Sequence, residues 1–296
     1  MKDFKGKNEL KKLLWFLRAI SGYDYVKSRK ALKSKTPLYL IPVKKDDSRF
    51  FYQLSFWKEF YEYYWGKTVL VPANGGGKNL CFWNLDFAWF PLRYNYDAYF
   101  KEVIKSPERA LIRKAIKNGY TCREINYDEH LDAIHEINTS KEFRMGKRMI
   151  DDYAGKLKPR QSVVGAIGQE IHTFGCFDNG NHLVAYYMFE HFGENVFHTV
   201  KGIGHAEHLK FGIMNYLFAF SIDNLYGFYP DGKQILLYGP LRMGGGLSRF
   251  KRNVGCKFGC PTIKGPQEFY KDFETFRKKY KIHDDTGLNF VLEYMK

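Results

Sequence analysis

Ile171–Tyr216 reads IHTFGCFDNGNHLVAYYMFEHFGENVFHTVKGIGHAEHLKFGIMNY. Three apolar runs of strand length are parted by Asp178-Asn179-Gly180 and Gly193-Glu194-Asn195. Links this short and this rich in turn residues join antiparallel neighbours. The spacing predicts strands over Ile171–Phe177, His182–Phe189 and Val196–Val200, hydrogen-bonded as two successive hairpins. After the third strand, Gly202-Ile203-Gly204-His205 and Lys210-Phe211-Gly212 lead into a helix. Ile213, Leu217 and Phe220 share one side of it, with Met214, Phe218 and Leu225 beside them. Gly227 closes that helix, and Gln234–Tyr238 is a further strand.

Upstream, Ser106-Pro107-Glu108 has the features of a helix start, with proline early and an acid in the first turn. The basic helix that follows, with Arg109, Arg113, Lys114 and Lys117, stops at Asn118-Gly119. A strand over Tyr120–Ile125 follows. Asn126 and Glu129 then resemble a capping box before a helix that buries Leu131, Ile134 and Ile137. A second helix is expected over Arg144–Ala154. Downstream, Leu247–Val254 reads as a short basic helix, Lys257–Lys264 as an extended piece and Gln267–Tyr280 as a last helix. The order from residue 120 is β-α-α-β-β-β-α-β-α-β, an α+β chain.

The first hundred residues read differently. Leu10, Leu13, Leu14 and Leu17 have the spacing of a core-facing helix, and β-like runs follow at Leu38–Val43 and Phe50–Phe56. An aromatic patch comes next (Trp57, Phe60, Tyr61, Tyr63, Tyr64, Trp65). Asn74-Gly75-Gly76-Gly77-Lys78 between Thr68–Val71 and Leu80–Trp83 reads as a hairpin turn: Asn79 follows the lysine where a phosphate-cradling loop needs Ser or Thr. The chain divides, on this reading, into a basic aromatic-rich unit over 1–104 and a second unit over 105–296.

Composition sets outer bounds. The 296 residues are 45% hydrophobic and 18% aromatic, enough for a large core and too apolar for a chain disordered throughout. Apolar runs are broken early, as at Arg18 and Asp223, so no membrane span is expected and the amino terminus reads as a helix rather than a signal peptide. Five scattered cysteines, with Cys256 and Cys260 the closest pair, suit reduced thiols in the cytoplasm better than a disulfide framework or a zinc tetrad. No metal is expected. The net charge is +15, and residues 1–45 hold 13 Lys or Arg against three acids. Such a face suits a polyanion: nucleic acid, an acidic membrane surface or a cofactor's phosphates.

The element order resembles the GNAT (Gcn5-related N-acetyltransferase) fold, and residues 106–264 are most similar to its Fem-type branch, which transfers amino acids from aminoacyl-tRNA. Three segments carry the likeness: Ser106–Arg109 with Arg113-Lys114-Ala115 and Gly119-Tyr120; Lys210–Tyr216; and Phe250–Cys256. The acetyl-CoA signature is not intact, because Leu209 and Met214 stand at two of its positions, and Cys256 replaces an aromatic. The resemblance implies an α+β, mostly antiparallel GNAT-like sheet and an N-acyltransferase whose donor is an acyl-CoA such as acetyl-CoA or an aminoacyl-tRNA. Its acceptor is an amine, with nucleic acid or another large molecule among the alternatives. The resemblance further implies a donor site at Val200, Lys201 and Gly202 on the third strand and at Lys210, Phe211, Gly212, Ile213, Met214 and Asn215 around the helix start. Glu190, His191 and His198 are candidates for the base, with Glu190 and His198 preferred, and Tyr216 and Tyr238 for the acid. Arg144, Arg148 and Tyr153 border the acceptor groove. The competing class is a nucleic-acid-binding module that keeps the fold without catalysis, supported by the basic leading segment and the aromatic patch. Residues 1–104 carry none of these likenesses, and a reduced second copy of the unit is the reading the resemblance offers for them.

Overall fold

A computed structural model of the chain describes residues 38–40, 68–72, 78–82, 87–144, 147–148, 155, 157, 170–230, 232–240, 246–259 and 261–263. The expected helices at 10–17 and 267–280, the runs at 50–56 and the aromatic patch at 57–65 lie outside them.

The central hairpins form as the turns dictate. Strands β8 (Glu170–Phe177), β9 (Leu183–Phe192) and β10 (Val196–Gly204) pair antiparallel in sequence, and β5 (Thr121–Glu124) lies antiparallel to β8 as the sheet edge. Helix α4 (Ile213–Phe228) then carries the chain over one face to β11 (Ile235–Pro240), which runs parallel to β10. A parallel neighbour needs such a crossover, whereas the antiparallel pairs need only turns. Two more strands extend the sheet: β4 (Phe87–Pro91) beside β11, and β12 (Lys257–Gly259) outside β4. The order is β12-β4-β11-β10-β9-β8-β5, a seven-stranded, mostly antiparallel sheet in an α+β, GNAT-like arrangement.

Strand period two sorts the side chains onto two faces. Phe174, Tyr187, Phe189, Phe197 and Leu236 share a core with Leu217, Phe218 and Ile222 of α4. On the opposite face Phe177, Tyr186, Met188 and Ile203 pack with Ile134 and Ile137 of α3 (Leu131–Thr139). Each large side chain buried this way contributes roughly 1.5–3 kcal/mol, so the two layers supply most of the driving force for the unit. Helix α2 (Ser106–Lys117) turns Ile112 and Ala115 inward; its acid Glu108 is buried too, accepting a hydrogen bond from Asn253 Nδ2 at 2.8 Å.

Three expectations change. The strand at 87–91 belongs to the seven-stranded sheet, and Phe90, Leu92 and Tyr99 lie in its core, so the sheet unit begins ahead of residue 105. Phe87-Ala88-Trp89-Phe90 has the apolar continuity of an interior strand, which the expected border overlooked. The start of the helix expected at 144–154 is instead a short hairpin, with Phe143 opposite Arg148 and Arg144 opposite Lys147. Gly227 sits inside the last turn of α4, not after it. A separate four-stranded sheet has the order β1-β13-β3-β2, from β1 (Leu38–Leu40), β2 (Thr68–Pro72), β3 (Lys78–Phe82) and β13 (Pro261–Ile263). The antiparallel pairing of β2 with β3 fits the hairpin reading of the glycine turn between them.

Candidate functional site

The sheet opens between its two parallel strands. Pairing of β10 with β11 runs through Val196↔Ile235, Phe197↔Leu236 and His198↔Leu237, and stops there. β10 stays with β9 as far as Gly204↔Ala185, with its register broken between Thr199 and Lys201. β11 is irregular over Leu237–Pro240, where Gly239 takes φ +73°. Beyond His198 β10 has no partner strand on its β11 side among the described residues, which leaves a cleft between the two parallel strands. The shift between Thr199 and Lys201 marks a bulge there. Val200, Lys201 and Gly202 lie at this bulge, where they were expected to meet a donor.

One face of the cleft carries Glu190 and His198, directly opposite each other on β9 and β10. Both are buried, at 5% and 8% exposure. Burial alone lowers the His198 pKa to about 4, so the imidazole is neutral near pH 7 and its lone pair can take a proton.

The other face carries Tyr238. Its hydroxyl meets that of Tyr187 at 2.5 Å, and its ring stacks on Phe218 at 5.2 Å. Burial raises both phenols, so they stay protonated. Gly202 makes the pair sterically feasible: a Cβ there would lie 2.0 Å from the Tyr187 ring. Lys251, on helix α5 (Gly246–Asn253), is 4% exposed; its Nζ donates to the Tyr238 carbonyl at 2.6 Å and stands 4.8 Å over that ring. A cation withdrawn from water is held only where oxygen or π partners compensate it. Burial likewise pushes the nearby Cys256 thiol up to about 12, with Lys251 pulling the other way.

The start of α4 departs from expectation. Gly212 does take a left-handed conformation at the helix start, φ +82°, but a Cβ there would lie 2.4 Å from the Leu111 carbonyl of α2. The close approach that this glycine permits is to another helix. Ile213 is wholly buried, and Met214 packs at Gly204. Lys210 stays exposed; its carbonyl accepts from Lys114 Nζ at 3.0 Å, and both ammonium groups lie within 6 Å of the Phe211 ring. Asn215 is buried, and its Nδ2 has no hydrogen-bond partner among the described residues.

Tyr216 does not reach the cleft. It stands two positions before Phe218, about 200° round the helix, whereas Phe218 is the residue stacked on Tyr238. Its pKa is raised to about 12 by burial and by Cys122 and Tyr96, which places it toward the opposite edge of the sheet. Arg144 and Arg148 lie in the short hairpin, their side chains outside the described residues, as is Tyr153.

Two groups escaped the sequence reading. Lys251 looked like one surface charge among several, although Ser248, Lys251 and Val254 follow the three-residue spacing of a buried helix face. The other is a network on β8 and the end of β9, beside the Glu190–His198 pair in register. Glu170 Oε1 lies 3.0 Å from His172 Nε2, and Glu170 Oε2 lies 2.8 Å from both His191 Nδ1 and Tyr229 Oη. His172 Nδ1 lies 3.0 Å from Glu124 Oε1. His191, read above as a candidate base, belongs to this network instead, and the alternation Glu170-x-His172 on one strand was its other sequence trace. Among the described residues, no group of three or more His, Cys, Asp or Glu side chains is placed to hold a metal ion, and no helix is long and apolar enough to cross a membrane.

No family model and no curated protein matches the sequence. Solved structures do resemble it in fold. FemX aligns over 59% of this chain and 59% of its own, at 12% identity and TM-score 0.47. L-PGS from Bacillus licheniformis aligns over 60% of this chain and 58% of its own, at 16% identity and TM-score 0.39. A tandem GNAT protein from the clavulanic acid biosynthesis pathway aligns over 69% of this chain and 55% of its own, at 10% identity and TM-score 0.42. The chain thus spans less than two thirds of each of these proteins.

Proposed function

We propose that the chain is an N-acyltransferase, moving an acyl or aminoacyl group from a thioester or ester donor to an amine. The observation that carries this reading is the cleft at His198/Leu237, flanked by a buried Glu–His pair on one side and a buried tyrosine–lysine group on the other. Acyl transfer to an amine asks for both: a group that accepts the amine's proton, and donors aimed where negative charge develops.

The donor's carbonyl lies against the bulged backbone of Val200–Gly202. The amine attacks as the neutral species, a C–N bond forms, and its proton passes to His198 with Glu190 alongside. Charge on the tetrahedral oxygen is stabilised by the backbone amides of the bulge and by the field of Lys251. The C–O or C–S bond then breaks, and Tyr238 gives its proton to the leaving group. The donor's carrier runs toward the exposed Lys210. Because the acetyl-CoA signature is incomplete, an aminoacyl ester is as consistent with these residues as acyl-CoA.

Native mass spectrometry of the purified protein tests the donor directly. A co-purified CoA thioester or aminoacylated RNA, together with a thermal shift on adding the same compound, supports the reading. Absence of binding or turnover with either donor class overturns it.

A further inference from the structure

The network around His172 lies on the α4 face of the sheet, two strands from β10 and in register with Phe189 and Thr199, and it has no part in the transfer described above. His172 is the central member. Its two ring nitrogens each face a carboxylate at 3.0 Å, Glu124 on β5 and Glu170 on its own strand. A neutral imidazole has one N–H and one lone pair, so it satisfies one carboxylate and repels the other. Only the imidazolium donates to both.

Among the described residues, the charges that act on the imidazole are those of Glu170 and Glu124. From β9, Phe189 is the direct cross-strand neighbour, and His191 reaches the group through Glu170. From β10, the Phe197 ring lies 6.0 Å away. From the end of α4, Phe228 stacks on the imidazole at 4.3 Å, and Tyr229 donates to Glu170. Burial alone would lower the pKa of His172; hydrogen bonding and charge from Glu170 and Glu124 outweigh it, and the balance is upward.

We propose that His172 is a proton-controlled latch, fastening the edge strand β5 and the carboxy-terminal end of α4 to the sheet while it is charged and releasing Glu124 when it is not. Glu124 is the partner that leaves. Its side chain is 50% exposed and ends a four-residue edge strand, whereas Glu170 keeps Tyr229 and His191. Rising pH thus weakens the β5 end first. Edge strands with few pairs belong to the low-stability end of a fold, where a single contact changes the opening equilibrium. The same proton loss unsettles the stack on Phe228, and α4 begins at the loop that borders the cleft, so the latch bears on that loop through a single helix.

Amide hydrogen exchange on the full chain tests this, read at Thr121–Glu124 at pH 5.5 and 8.5 after correction for intrinsic rates. Protection of these amides is expected to fall about tenfold between the two, the effect of losing one hydrogen bond to a charged group. Glu124→Gln, a change at a half-exposed position, is expected to abolish the difference. It should also lower the His172 pKa in an NMR titration, which a merely structural role would not do. His172→Phe, which keeps a ring against Phe228, is expected to give pH-independent exchange. Equal protection at the two pH values in the wild type, or a pH difference that survives Glu124→Gln, overturns the latch.

Discussion

Two buried histidines in one sheet are driven in opposite directions. His198 on β10 lies on the α3 side of the sheet, and burial alone holds it neutral. His172 on β8 lies on the α4 side, comparably buried, yet two carboxylates outweigh burial and move its pKa upward. The environment, not the residue type, sets what each can do. A neutral imidazole beside an open cleft can accept a proton, whereas a charged one held by two carboxylates is a fastening. Neighbouring groups and burial compete for the same few kcal/mol, and the number of charged partners decides the sign.

Acid titration should separate the two most strongly. His198 binds its proton near pH 4 when folded and near pH 6.5 when unfolded. Its stabilising effect is fully present above about 6.5 and is lost as pH falls toward 4, worth about 3 kcal/mol in all. His172 has its folded pKa above the unfolded value, so its contribution is fully present below about 6.5 and is lost as pH rises through the folded pKa. Hydrogen bonds from His172 and His191 hold the Glu170 carboxyl well below the usual range, so its share is present above about 4.5 and is lost in acid. Urea unfolding across pH 4 to 9 checks the pattern: His198→Gln should flatten the acid limb and His172→Gln the alkaline limb. If the two variants exchange limbs, the comparison is wrong.

A smaller effect is expected at the cleft itself. Gly202→Ala places a methyl group 2.0 Å from the Tyr187 ring and must push that ring off Tyr238. Overpacking of this kind costs about 2 kcal/mol, and thermal unfolding should register it while the His172 network keeps its pH response. Tyr187→Phe keeps the ring and removes only the hydroxyl contact to Tyr238. About 1 kcal/mol is expected from denaturant unfolding, since one neutral hydrogen bond is lost. A cost of 3 kcal/mol or more would mean that the tyrosine pair organises the sheet as a whole.

What the sequence made legible follows from range. The hairpins of β8, β9 and β10 rest on turn residues a few positions apart, and α4 on an apolar period within one segment, so local reading found them. Glu190 and His198 were legible as strand-end groups and do meet across β9 and β10. Tyr216 and Tyr238 could not be told apart, because only the rotation of α4 against β11 shows which faces the cleft. Gly212 stands at the helix start as expected, but its left-handed backbone and the neighbour that requires it, Leu111, about a hundred positions away in the chain, come from tertiary structure. Lys251 was hidden by its charge. A buried lysine needs compensating partners, and the Tyr238 carbonyl reaches it only through tertiary structure. The strand at 87–91 lies across the sheet from its neighbours in sequence, and no local signal assigns it there.

The transfer reading rests on the cleft, and Lys251 is the buried lysine beside it. The most direct measurement is the rate at which labelled acyl or aminoacyl groups pass from acetyl-CoA or aminoacyl-tRNA to an amine, for wild type and for Lys251→Met. Circular dichroism confirms that the variant is folded. The wild type is expected to transfer label with one of the two donors, and the folded variant to be about 100-fold slower, the usual cost of removing one group that stabilises developing charge. Transfer at the wild-type rate by the folded Lys251→Met protein would contradict the account.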